Sequence, residues 1–252
     1  MLDQLAILLF TTSRGHFGFK NSYEFVVKNL EQRVSAGLNL AHIKYQDDEE
    51  STLMGMEYFL DKHKYNILRT EGKWKHNSIS HAQEYFKDQL KLFSSHAKPY
   101  SWIQEDDFLC RLDNNRLELS LEGFMEEGIF FLERNPQALC VRINSEPDKH
   151  INGATKINEW IYRQDEERTK WGSTFTFQPT LVRTRDYLFA LKIINQNLHL
   201  LETTHCEILS GQVFKQFSDD QSPFYFFDPE LVWCEHIGEK EKLEKLNENN
   251  IN

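Results

Sequence analysis

The residues of this chain best suited to chemistry are three adjacent acids, Glu105-Asp106-Asp107, which end the apolar run Tyr100-Ser101-Trp102-Ile103-Gln104. Neighbouring carboxylates repel one another, and burying any of them is costly without a compensating cation. At the exposed end of a strand, in a crevice, such a cluster offers hard oxygen ligands to Mg2+ or Mn2+. Alternate side chains of an extended strand share a face, so Glu105 and Asp107 are expected together, with Asp106 turned away. An ion held there would serve a phosphorylated substrate. The same tripeptide is also the composition of an ordinary solvated turn. The elements that place it decide between the two.

Those elements alternate. Leu5 to Phe10 reads as a buried strand closed by Thr11-Thr12-Ser13-Arg14-Gly15. Ser22 is placed to cap a helix running to about Val34, with Phe25, Val26, Leu30 and Val34 on its apolar face. Leu38 to Tyr45 returns to strand and ends at Asp47-Asp48, followed by a helix over 51–62 and a strand from Tyr65 to Arg69. Ser80 opens a helix whose face carries Ala82, Tyr85, Phe86, Leu90 and Phe93, and the strand ending in the acids comes next. Strands alternating with helices predict an α/β fold with a mostly parallel central sheet and helices on both faces. Ligands of such sheets bind at the carboxyl ends of the strands. Thr11 to Arg14, Asp47-Asp48, Glu71 and Glu105 to Asp107 would converge there.

The second half is less regular. Helices are expected over 118–134, 184–196 and 204–214, and a strand over 138–143. Residues 144–172 read as a long polar loop with some helix, and Thr174 to Val182 as a strand that Pro179 breaks or confines to an edge. Phe224 to Phe227 and Glu230 to Cys234 are apolar pieces ahead of Glu235-His236-Ile237-Gly238, and 239–252 is a charged, Asn-rich tail. No internal repeat or linker divides the 252 residues, so a single domain is expected.

Composition narrows the function classes. Aromatic residues make up 13% of the chain, which supports a buried core. The formal net charge of -10 opposes non-specific nucleic-acid binding, which draws on basic surfaces. It does not oppose a phosphate bridged by a cation that reverses the local sign. No apolar run approaches the roughly 20 residues of a membrane span, and Leu5–Phe10, preceded by Asp3, reads as a strand, not a signal segment. Cys110, Cys140, Cys206 and Cys234 are far apart without a CxxC pair, so a reduced, cytoplasmic protein is expected.

Three segments in order carry a family resemblance. They are the opening strand with Thr11-Thr12-Ser13-Arg14; the passage Glu71 to Ala82, in which Gly72, Asn77 and Ala82 stand in a G-x-x-x-x-N-x-x-x-x-A spacing; and Trp102-Ile103-Gln104-Glu105-Asp106-Asp107. Together they resemble GT-A glycosyltransferases, especially the family 2-like group that uses nucleotide-diphospho-sugars, whose acidic DxD-type motif is here in its EDD form. The resemblance covers roughly residues 4 to 110 well and the remainder in outline. Glu105 departs from it, standing where many members carry Asp.

The resemblance implies a GT-A-type fold with a nucleotide-sugar-binding half over about 1–110 and an acceptor-binding half over about 111–238. It implies Mn2+ or Mg2+ as cofactor, a UDP- or GDP-linked sugar donor and a carbohydrate acceptor, in a pathway such as surface polysaccharide or lipopolysaccharide synthesis. Asp107 is the expected metal ligand, with Glu105 beside it or nearer the ribose, Asp106 beside the donor sugar, and His236 as a C-terminal ligand that would favour manganese. Thr11, Thr12, Arg14 and Asn77 fall at nucleotide-contacting places; Asp47 or Asp48 would meet the nucleobase, and Lys73 or Lys75 phosphate oxygens. Glu207 matches the carboxylate that inverting members use as base, with His205 as the fallback.

Plainer roles compete at several of these positions. Thr204-x-x-Glu207 is also a capping box, and a helix N-terminus favours the charged carboxylate, which tempers its basicity. Arg183 and Arg185 would bind an anionic acceptor or pair with Asp186; Trp160, Trp171 and Phe177 would stack on sugar or fill the core. Three other functions fit parts of the pattern. A nucleotidyl or phosphoryl transferase would use the acids but lacks a phosphate loop, since Gly15-His16-Phe17-Gly18 has no GKS/T ending. A zinc site would combine His205, Cys206, Cys234 and His236. A non-catalytic carbohydrate-binding protein would keep the fold alone.

Overall fold

Every residue from Leu5 to Phe10 is buried, as a strand covered on both faces requires. Leu5, Ile7 and Leu9 point into one apolar layer, and Ala6, Leu8 and Phe10 into the other. The computed structural model describes residues 1–12, 22–35, 38–45, 66–74, 79–95, 98–105, 107–116, 118–144, 153–165, 178–216 and 222–237. Around strand β1 (Leu5–Thr12) run β2 (Leu38–Tyr45), β3 (Asn66–Trp74) and β4 (Tyr100–Glu105), all parallel. Their carboxyl ends therefore lie along one edge.

The sheet then changes character. Beside β4 lies β9 (Thr180–Arg183), antiparallel both to it and to β6 (Cys140–Arg142). Strand β10 (Phe224–Phe227) runs parallel to β6, and β8 (Ile161–Gln164) and β7 (Ala154–Lys156) follow antiparallel. The order is β3-β2-β1-β4-β9-β6-β10-β8-β7. A second, two-stranded sheet joins β5 (Phe108–Leu112) to β11 (Val232–His236).

Helices α1 (Ser22–Glu31) and α3 (Leu121–Arg134) cover one face, burying Val26, Val27 and Leu30 from the first and Phe124, Met125, Ile129 and Leu132 from the second. Helices α2 (Ile79–Ser95), α4 (Thr184–Gln196) and α5 (Cys206–Lys215) cover the other. On α2, Phe86 and Phe93 are buried while Ala82, Tyr85 and Leu90 pack at the margin, which is the face that their helical spacing predicts. Ser120 opens α3 by accepting the Gly123 N–H at 3.0 Å.

Several sequence expectations need correction. The strand predicted to end at Arg69 continues to Trp74, so Glu71 and Gly72 lie within β3 and not at its end. The strand begins at Thr180, directly after Pro179, so the expected break holds, but β9 is not an edge: it is flanked by β4 and β6, and the Pro179 carbonyl accepts the Ile143 N–H at 2.8 Å. Within the expected loop 144–172, residues 154–164 form the strands β7 and β8, and Asn158 Oδ1 accepts the N–H groups of Trp160 and Ile161 at 2.9 and 2.8 Å to make the turn. The helix expected over 51–62 and the tail 239–252 lie outside the described residues.

Gly128 marks where α3 crosses the sheet. A Cβ there would stand 2.6 Å from Leu181 Cδ2 and 2.9 Å from Phe227 Cζ. Replacing glycine by alanine inside a helix ordinarily stabilises by about 1 kcal/mol. Gly128→Ala is expected to reverse that sign and lower the unfolding free energy by about 1–3 kcal/mol through overpacking, measured by urea denaturation.

Candidate active site at the carboxyl edge of the sheet

The chain leaves β4 at Glu105, turns, and re-enters strand at Phe108. Gln104, fully buried, braces this turn: its Oε1 accepts the Trp102 indole N–H at 2.8 Å and its Nε2 donates to the Phe108 carbonyl at 2.7 Å. Asp107 sits in the turn at 4% exposure. Its Oδ2 lies 3.1 Å from His236 Nε2, and its carbonyl accepts the Ile237 N–H at 2.7 Å. His236, whose side chain is 41% exposed, is set there by the β5–β11 register, which places it opposite Phe108 with ring centroids 5.1 Å apart. The Arg111–Glu235 ion pair at 2.8 Å holds the same register from the rim.

Glu105 goes elsewhere. It pairs in register with Phe10, and its Oε1 accepts the Tyr85 hydroxyl of α2 at 3.2 Å. Burial, and then the Glu105 charge, push the Tyr85 phenol well above its ordinary range, so it stays a donor. The expectation that Glu105 and Asp107 share a face fails because the strand ends at Glu105, and alternation does not carry through a turn. Among the described residues no three metal-ligating side chains come together. The carboxylate–imidazole pair Asp107–His236 is what the fold assembles.

Helix α5 begins beside Glu105. The Cys206 thiol is pushed up to about 12 by burial, then by the charges of Glu207 and Glu105, so both carboxylates act on one sulfur. The expected capping box is not formed. His205, not Thr204, is the N-cap, and its Nδ1 accepts the Glu207 N–H at 3.4 Å. Glu207 thus occupies the second helical position, with its Oε2 3.9 Å from His205 Nδ1 and its side chain 19% exposed.

Arg183 takes the second of its two expected roles, the pairing with Asp186. Its Nε meets Asp186 Oδ2 at 2.5 Å, and its other nitrogens donate to the carbonyls of Leu132, Asn135, Pro136 and Ala138, closing the carboxyl end of α3. Arg185 pairs with Asp186 at 3.2 Å on the surface. Trp160, half-buried, packs edge-on against Phe124 of the core at 5.1 Å. The zinc grouping is dispersed: Cys234 lies in the layer of α1 and α3, whereas Cys206 packs with the opposite layer. Thr11 and Thr12 end β1, and Gly72 and Lys73 lie on β3. Arg14, Asp47, Asp48, Lys75, Asn77, Asp106, Trp171, Phe177 and Gly238 lie outside the described residues.

Solved glycosyltransferases share this architecture. TarS from S. aureus matches with a TM-score of 0.51 at 8% identity, over 96% of this chain and 38% of that one. This chain thus spans well under half of TarS. The mannosyltransferase PcManGT from Pyrobaculum calidifontis, solved with GDP-Man and Mn2+, gives 0.46 at 8% identity over 87% and 56% of the two chains. An active-site mutant of LgtC gives 0.47 at 11% identity over 88% and 72%. The fold is the α/β fold of GT-A glycosyltransferases. No family model matches the sequence, and no curated protein matches it. Identity this low carries the architecture and leaves the chemistry to the residues.

Two outcomes follow from the site's surroundings. Arg183→Met strips charged donors from a helix end and is expected to lower stability by about 2–3 kcal/mol in denaturant titration. Burial raises Cys110 to about 12, Cys140 to about 11 and Cys206 to about 12, with Cys234 also well above its ordinary value. All four are therefore thiols below about pH 10, and native protein at about pH 8 should react with a disulfide reagent roughly a hundredfold or more slower than the unfolded chain.

Proposed function

We propose that the protein is a metal-dependent glycosyltransferase that moves a sugar from a UDP- or GDP-linked donor to a carbohydrate acceptor, with inversion at the anomeric carbon. The observation that carries this reading is the 3.1 Å approach of Asp107 Oδ2 to His236 Nε2 beyond the carboxyl end of β4. A carboxylate with an imidazole suits Mn2+ better than Mg2+. Few protein ligands are needed, because ions of this kind bind through one or two carboxylates together with substrate phosphates. Asp107 and His236 would hold the ion. Mn2+ or Mg2+, when bound, neutralises the charge that develops on the leaving diphosphate.

The chain's own groups supply the rest. Glu207, at the start of α5 and close to the end of β4, takes the proton of the acceptor hydroxyl. As that oxygen bonds to the anomeric carbon, the bond from this carbon to the diphosphate oxygen breaks and the nucleoside diphosphate departs. No side chain is assigned as a covalent nucleophile, which favours inversion. Glu105, fixed by Tyr85, faces the nucleotide side and accepts a ribose hydroxyl. Asp106 stands beside the donor sugar; Thr11, Thr12, Arg14, Asp47 and Asn77 belong to the nucleotide-binding half, about 1–110. His205 orients the α5 terminus and is the second candidate base. Residues 111–238 form the acceptor half, within a single domain.

Four free cysteines support a reduced, cytoplasmic setting, and no helix among the described residues is long and apolar enough to cross a membrane. By analogy of fold, the acceptor belongs to surface polysaccharide or lipopolysaccharide synthesis. The test is release of nucleoside diphosphate from a panel of UDP- and GDP-sugars with Mn2+. Asp107→Asn should lower turnover about a hundredfold or more, and His236→Ala about tenfold. Turnover that survives Asp107→Asn, or that persists undiminished in a chelator, contradicts the reading.

A further inference from the structure

The side chain with the most to do at the acidic turn is neutral. Gln104 is the penultimate residue of β4 and completely buried, two positions after Trp102 on the same face of the strand. The orientation of its carboxamide is determined by its partners. The Trp102 indole is a donor only, so the Gln104 oxygen must face it; the Phe108 carbonyl is an acceptor only, so the nitrogen must face that. The Cys110 thiol reaches the same oxygen at 3.7 Å. One amide thus ties the strand before the turn to two residues after it.

Burial alone does not call for this residue. A leucine or methionine would fill the space without a polar group to satisfy, whereas a buried amide is costly unless its partners are all in place. Here they are in place, and they span the turn that carries Asp107. Asp107 in turn receives Ile237 on its carbonyl and His236 on its carboxylate. Displacing Phe108 would shift both contacts, because Phe108 and His236 are register partners in the β5–β11 pair.

We propose that Gln104 is the positioning residue of this site: its carboxamide holds Asp107 against His236, and through that spacing sets the affinity for a divalent cation. The consequence for the cation rests on the metal reading above; the hold on the turn does not. Gln104→Met removes donor and acceptor at similar volume. Gln104→Leu removes the same two contacts in a branched shape, so an effect common to both variants belongs to the lost carboxamide and not to packing. Two readouts separate positioning from general stability. One is amide hydrogen exchange at Ile237, compared with Leu191 in the interior of α4. The other is binding of Mn2+ alone, and of Mn2+ with UDP, followed by the paramagnetic resonance of the free ion.

In both variants Ile237 should exchange about tenfold faster with Leu191 unchanged, and Mn2+ should bind about tenfold more weakly, the size of one lost buried hydrogen bond. Ile237 and Leu191 accelerating together, neither accelerating, or a measurable Mn2+ affinity equal across the three proteins would overturn the proposal. Local acceleration at Ile237 in a protein whose wild type binds no Mn2+ confirms the hold on the turn, and removes the metal reading instead.

Discussion

A carboxylate buried to 4% exposure cannot be placed at the end of a strand without something that answers its charge, and in this protein the answer comes from the far end of the chain. Asp107 and His236 are 129 residues apart in sequence and 3.1 Å apart in space. Bringing them together requires β11 to pair with β5, and that pairing forms only when the elements between them have folded back. A contact of such separation is paid for in loop-closure entropy before it gains anything. The site is therefore a product of the completed fold and not of any local motif.

The same edge divides labour between the two sides of the sheet. Trp102 and Gln104 face the layer of α1 and α3, from which Cys110 and Cys234 carry the β5–β11 pair to Asp107 and His236. Ile103 and Glu105 face the layer of α2, α4 and α5, where Tyr85 receives Glu105 and the first turn of α5 presents Glu207. Alternation along β4 sets Gln104 and Glu105 toward opposite layers, and the turn that follows, not the alternation, brings Asp107 to His236. The arrangement keeps the candidate base apart from the candidate metal ligands, so that one carboxylate need not serve both purposes.

Much of this is legible in the sequence. The run Leu5 to Phe10 and the face of α2 are local patterns, and α4 was expected over the span it occupies. Features that depend on partners distant in sequence were harder to read. Pro179 marks where the strand starts, but a local rule cannot show that the strand beginning one residue later lies between two others. The pairing of Arg183 with Asp186 is legible from their spacing, but the carbonyls that also claim Arg183 belong to a helix end about fifty positions earlier. Gln104 gave no signal at all beyond being a polar residue in an apolar run. That anomaly was the one available clue, since a polar side chain buried in a strand must find partners. The Thr204-x-x-Glu207 spacing fits a capping box, but His205 is the cap, because an imidazole nitrogen accepts the same Glu207 N–H.

The pairing of Asp107 with His236 as an ion-holding couple is most directly tested by anomalous scattering at the manganese edge from crystals grown with Mn2+ and UDP. A single peak within coordination distance of an Asp107 carboxylate oxygen and His236 Nε2, with diphosphate density on its far side, is the result expected. A peak bound through other side chains, or nucleotide density with no metal beside Asp107, would contradict it.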